Sequence, residues 1–111
     1  MEIATNIFSN LAAASTDQTN LPAIPSGVAV TVTKFGGADL NLGDGLSTGY
    51  LLQWGSGGAF TIVAAIALTG NTFEYEMNQQ FLGDGVKFFR ITRQNNSAHS
   101  KICPCWLKGF Y

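Results

Sequence analysis

Apolar and polar residues alternate one for one through much of this chain. Val28, Val30 and Val32 are separated by Ala29 and Thr31. Phe60, Ile62, Ala64, Ile66 and Leu68 repeat at the same spacing, as do Phe73, Tyr75 and Met77, then Val86, Phe88 and Arg90. A period of two belongs to the β-strand, whose successive side chains point to opposite faces. Each run therefore predicts a strand with one face toward a core and the other wet or half-covered.

The runs predict strands over 2–8, 28–35, 47–54, 60–69, 72–78, 86–94 and 101–110, with a short piece at 39–42. Between them stand Gly36-Gly37, Gly43-Asp44-Gly45, Gly55-Ser56-Gly57-Gly58, Gly70-Asn71, Gly83-Asp84-Gly85 and a polar loop at 95–98. Gly70-Asn71 reads as the tight turn of a β-hairpin. Residues 9–26 are rich in Ala, Ser, Thr and Asn, contain Pro22 and Pro25, and show little periodicity. They read either as a long ordered connection or as an arm that orders against a partner. No window carries a persuasive helical period. About seven or eight strands at roughly ten-residue spacing predict an all-β chain, a single antiparallel sandwich or barrel domain covering 1–111.

Composition adds the surface. Charged residues make up 12% of the 111, about half the usual share, so the exterior is polar but nearly neutral. Such a surface resists association poorly, which fits either a life inside an assembly or simply a Thr-rich β-protein. Net charge is −1, and the six basic residues, Lys34, Lys87, Arg90, Arg93, Lys101 and Lys108, form no stripe. Alternation sets Lys87 and Arg93 opposite Arg90, so no nucleic-acid groove is expected. The longest apolar run, Ile62–Leu68, is too short to span a bilayer. No membrane partner is expected, and residues 1–15 lack the basic start and apolar stretch of a secretory leader. Cys103 and Cys105 flank Pro104. On one strand they would share a face about 6.5–7 Å apart, too far for good disulfide geometry, so both are expected reduced.

Candidate chemistry is sparse. The repeated turn, Leu42-Gly43-Asp44-Gly45-Leu46 and Leu82-Gly83-Asp84-Gly85-Val86, has one carboxylate per copy. That is thin for calcium and suits a turn in which Asp bonds its own backbone. His99 lies in a polar loop without nucleophile-elbow context, and Glu74 and Glu76 share the polar face of a strand. Neither phosphate-binding glycine pattern is present. No catalytic residue, metal ligand or cofactor site is assigned, and no enzyme is expected. Trp54, Trp106 and Tyr50 would stack on sugar rings if exposed, and would fill the core if buried. The end of the sequence, Trp106-Leu107-Lys108-Gly109-Phe110-Tyr111, is apolar to its last residue. It suggests a strand closing the core or an edge offered to another subunit.

Leu21-Pro22-Ala23-Ile24-Pro25 before Val28–Val32, the glycine-punctuated strands, and Val86-Lys87-Phe88-Phe89-Arg90 through Trp106–Tyr111 together resemble the small decoration (cement or staple) proteins of tailed-phage capsids, of the Salmonella phage epsilon15 type. The resemblance covers the whole chain and rests on length and rhythm. It implies a jelly-roll-like β-sandwich, made in the host bacterial cytoplasm, that binds the outer capsid surface of the virion. Its partner would be the major capsid protein, whose neighbouring subunits it bridges as a homodimer or other small homo-oligomer. The candidate interface is then Glu2, Ile3, Ile7, Phe8 and Leu11 at one end of the sequence and Phe110 and Tyr111 at the other. The competing expectation is a carbohydrate-binding jelly-roll module of a phage fibre or baseplate, with Trp54, Trp106 and Tyr50 as its platform.

Overall fold

The computed structural model describes residues 2–7, 10–39 and 47–111. Phe8 and the Leu42–Leu46 copy of the repeated turn lie outside the described residues. The strands are β1 (Glu2–Ile7), β2 (Asn10–Leu11), β3 (Thr16–Asn20), β4 (Ala29–Ala38), β5 (Thr48–Ser56), β6 (Ala59–Leu68), β7 (Thr72–Leu82), β8 (Phe88–Asn95), β9 (Lys101–Ile102) and β10 (Cys105–Phe110). Eight of them form two four-stranded antiparallel sheets, ordered β1-β10-β4-β7 and β3-β8-β5-β6, with β2 and β9 paired separately. Numbered one to eight in chain order, the sheets read 1-8-3-6 and 2-7-4-5, the double winding of a jelly roll. The expected all-β sandwich is the observed fold.

The core lies between the sheets. Val30, Val32, Phe35, Leu52, Phe89, Ile91 and Leu107 are wholly buried, each contributing about 1.5–3 kcal/mol by leaving water. Trp54, Phe81 and Phe89 form an aromatic cluster with centroids 4.6 to 5.4 Å apart. The other end of the same interior is polar. Tyr50 donates to the Ala38 carbonyl at 2.5 Å, and Lys101 pairs with Asp39 at 2.9 Å with both side chains buried. Arg93, also buried, forms a two-pronged pair with Asp17 and donates to the Cys103 carbonyl at 3.0 Å.

Three expectations change. The segment read as a connection or arm contains β3, paired residue for residue with β8 from Thr16↔Gln94 to Asn20↔Arg90. Gly70-Asn71 turns the chain tightly, with Gly70 at φ +68°, but does not make a hairpin: it carries the chain from β6 in one sheet to β7 in the other. The hairpin is β5–β6, closed by Gly57-Gly58 between paired Ser56 and Ala59. Finally, the alternation of β6 is interrupted. Leu52 pairs with Ala64 and Gln53 with Ile62, leaving Val63 as a bulge residue. One extra residue moves every later side chain to the other face. Ala64, Ile66 and Leu68 therefore point inward while Phe60 and Ile62 point out, which leaves Ile62 66% exposed.

Candidate functional site

The sheet orders place β1 opposite β3 on one side of the sandwich and β7 opposite β6 on the other. Both sides end in strands whose outer backbone edge has no strand partner among the described residues.

On the first side, a groove of about 380 Å³ runs between β1 and the segment from Thr19 to Ile24, with Tyr111 at its rim. β1 is held by β10 in antiparallel register, Glu2 opposite Phe110 and Ile7 opposite Cys105. Ile3, Thr5 and Ile7 are half-buried, while Glu2, Ala4 and Asn6 face solvent. The facing wall is Leu21-Pro22-Ala23-Ile24. Prolines cannot extend the ladder, so this stretch continues β3 only through Leu21 N–H to Phe89 O at 2.9 Å and Ile24 N–H to Lys87 O at 3.0 Å. The result is a mostly apolar cleft beside a free strand edge. Such an edge can take an added strand from another chain while the cleft receives one of its side chains.

Three of the sequence-nominated residues, Glu2, Ile3 and Tyr111, meet in this groove. Phe110 lies across from Glu2 and is 54% exposed. Ile7 stands further along β1, outside the cleft lining. Leu11 must be removed from the set: it is 4% exposed and belongs to the core. Nor does the terminal strand offer an edge, because β10 is flanked on both sides by β1 and β4. The opposite wall, Leu21–Ile24, went unnominated. Its signal was the proline-bracketed apolar pair Ala23-Ile24 inside a polar stretch.

The glycan platform is also corrected. Tyr50 is 2% and Trp54 7% exposed, both inside the core, and only Trp106 is half-exposed. Trp106 lies on the outer face above Gly36, where any Cβ would stand 2.7 Å from its ring, and donates its indole N–H to Glu74 at 2.6 Å. Glu74 also faces Lys34 at 3.9 Å, so this carboxylate is occupied by its neighbours. Asp84 accepts from the Val86 and Lys87 N–H groups at 2.9 and 2.8 Å, the arrangement of a self-bonded turn. Those two bonds hold its carboxyl below the usual aspartate range.

On the second side, Phe73 and Tyr75 point toward the sheet interface yet remain partly exposed, because the sandwich is open there. Tyr75 reaches across to the Ala65 carbonyl of β6 at 3.4 Å. Phe73 and Tyr75 stack edge to face at 4.6 Å, Ile62 is exposed on the outer face of β6, and β6 carries no charged residue and no proline. Of the usual protections of an edge strand, β6 has the bulge at Val63 but neither a charge nor a proline.

No protein-family model matches the chain, and no curated protein matches it in sequence. Among solved structures it is similar in fold to the crystal structure of PirA, with a TM-score of 0.58 at 12% identity over 94% of this chain and 92% of that one. It also overlaps the structure of infectious bursal disease virus Gx strain, at a TM-score of 0.43 and 10% identity, over 98% of this chain and 31% of that chain. At these identities the likeness to PirA establishes a shared β-sandwich fold, and fold alone does not assign activity.

Proposed function

We propose that the protein is a structural component of a tailed-phage virion that binds the outer surface of the assembled capsid and bridges neighbouring capsid subunits. The supporting observation is the pair of unfinished edges on opposite sides of one rigid sandwich, since a bridge needs two attachment surfaces that do not compete. The groove beside β1 takes an extended segment of the major capsid protein, with main-chain bonds to the free edge and an apolar side chain in the cleft. The β6 edge pairs with a second copy, giving a homodimer. Self-pairing suits β6, which is uncharged, and not β7, where Glu74 and Glu76 of the two copies would be brought together. A ligand that binds only the assembled shell stabilises it by linkage, and many copies multiply a modest contact.

The test is co-sedimentation with shells of its phage that lack the protein. Saturable binding at a fixed ratio per capsid subunit, with a raised shell melting temperature, is expected. Ile3→Asp and Tyr111→Ser, both in the groove, are expected to weaken it while the isolated protein stays folded. No binding by the unmodified protein overturns the reading.

A further inference from the structure

The outer face of the β3-β8-β5-β6 sheet lies between the two edges and has a chemistry of its own. Its register sets Asn20, Arg90 and Gln53 side by side across three strands, with Gln18 and Gln94 in the rows beyond. Among the described residues, Arg90 is the one ionised side chain on this face. It is held in place twice. Its Nε donates to Asn20 Oδ1 at 3.1 Å, and its guanidinium carbon stands 4.0 Å from the centroid of the Phe60 ring. These contacts fix the plane of the guanidinium and leave its two terminal nitrogens without a hydrogen-bond or carboxylate partner among the described residues. The other arginine, Arg93, is buried and paired with Asp17. One arginine is thus spent on the fold, while the other is oriented and unneutralised.

A guanidinium stacked on a ring and steered through Nε presents its terminal N–H groups as a fork that matches a carboxylate. The surrounding carboxamides each carry both donor and acceptor, the pairing that vicinal hydroxyls require. A neutral sugar would not need the cation, and an acidic protein side chain would not need the carboxamides. We infer that this face binds a saccharide bearing a carboxylate. Arg90 takes the carboxylate, and Gln53 and Gln18 take ring hydroxyls. The site does not depend on the shell-bridging reading, because it can be measured on the isolated protein.

The experiment is an amide-resolved NMR titration of the isotope-labelled protein with methyl β-D-glucuronide. Methyl β-D-glucoside, which has a hydroxymethyl group in place of the carboxylate, and N-acetylglutamate α-amide serve as comparison ligands. The glucuronide is expected to shift the amides of Arg90, Thr92 and Gln53, and the glucoside to bind about tenfold more weakly or worse. Arg90→Gln is expected to abolish the response. So is Asn20→Asp, which supplies an internal carboxylate to the same guanidinium and leaves folding intact. No glucuronide response, an equal response to the glucoside, or an unchanged response in Asn20→Asp each overturns the site. If N-acetylglutamate α-amide binds as tightly as the glucuronide, the ligand is a protein carboxylate and the saccharide assignment falls.

Discussion

Thr92 stands on β8 with its hydroxyl oxygen buried and without a hydrogen-bond partner among the described residues. Losing hydration without gaining a partner costs the fold, and valine has the same shape with no oxygen to satisfy. Thr92→Val is expected to raise the unfolding free energy by about 1 kcal/mol, read as a higher denaturant midpoint at unchanged slope. The buried thiols give a second residue-level expectation. Burial pushes the Cys105 thiol up from 9.0 to about 12 and raises Cys103 as well. A folded-state pKa above the unfolded value means the native form holds its proton longer. The resulting stability is whole below pH 9 and is lost between 9 and about 12 as the unfolded thiol ionises first. Tyr50, raised by burial, acts in the same direction, so the measurement is the difference between the parent protein and Cys105→Ala across that window. The parent should lose stability more steeply. A parallel slope would show that the thiol adds nothing.

At the scale of the element, two local features decide how the strands are used. The first is Gly36, where β4 passes beneath Trp106 and beside the Phe73 carbonyl at a distance that no Cβ tolerates. Gly36→Ala is expected to cost about 1–3 kcal/mol, as overpacking does, with a red shift in tryptophan emission as the indole leaves Glu74. The second is the bulge at Val63. It turns Ile62 outward onto the open β6 edge, so Ile62→Lys should barely change stability, within about 0.5 kcal/mol. If the β6 edge pairs with a second copy as proposed, the same change should convert that dimer to a monomer in sedimentation; a dimer that survives it would move self-association to another surface. Neither feature could be read from periodicity. The alternation located most strands, because their inward residues are apolar. It missed β3, whose inward residues Asp17 and Thr19 are polar: Asp17 pairs with Arg93 and Thr19 lines the groove. It also ran Phe60 through Leu68 as one face, since a bulge leaves no mark on a period of two. The groove was half legible: Ile3 and Tyr111 stood out as apolar residues near the ends of the sequence. Its Leu21–Ile24 wall showed only as a proline-bracketed apolar stretch; its place opposite β1 did not show, because strand pairing across some seventy positions is set by the whole fold. Arg90 was counted only as one of several scattered cations, and its meaning depends on Asn20 and Phe60 being brought beside it.

For the whole molecule, the interior is graded from an aromatic end to an ionic one, and the ionic end ties the two sheets together. Lys101 on β9 reaches Asp39 at the end of β4, and Thr48 at the start of β5 donates to the same carboxylate oxygen at 3.3 Å. Arg93 on β8 reaches Asp17 on β3 and the carbonyl of Cys103 ahead of β10. Such pairs give up hydration to gain one another, so their net worth is small, while the cost of breaking one is large. Lys101→Met leaves Asp39 buried without its cation and is expected to destabilise the fold by about 3–5 kcal/mol. Adding Asp39→Leu removes the orphaned charge, and the double variant should recover most of that loss. Urea unfolding of the two single variants and the double variant measures the coupling directly. Strong recovery would mean that the pair fixes which strands meet at this end rather than supplying net stability. Equal, additive losses would mean instead that Asp39 is held chiefly by Thr48 and the surrounding backbone, and that the two sheets do not rely on this ion pair for their alignment.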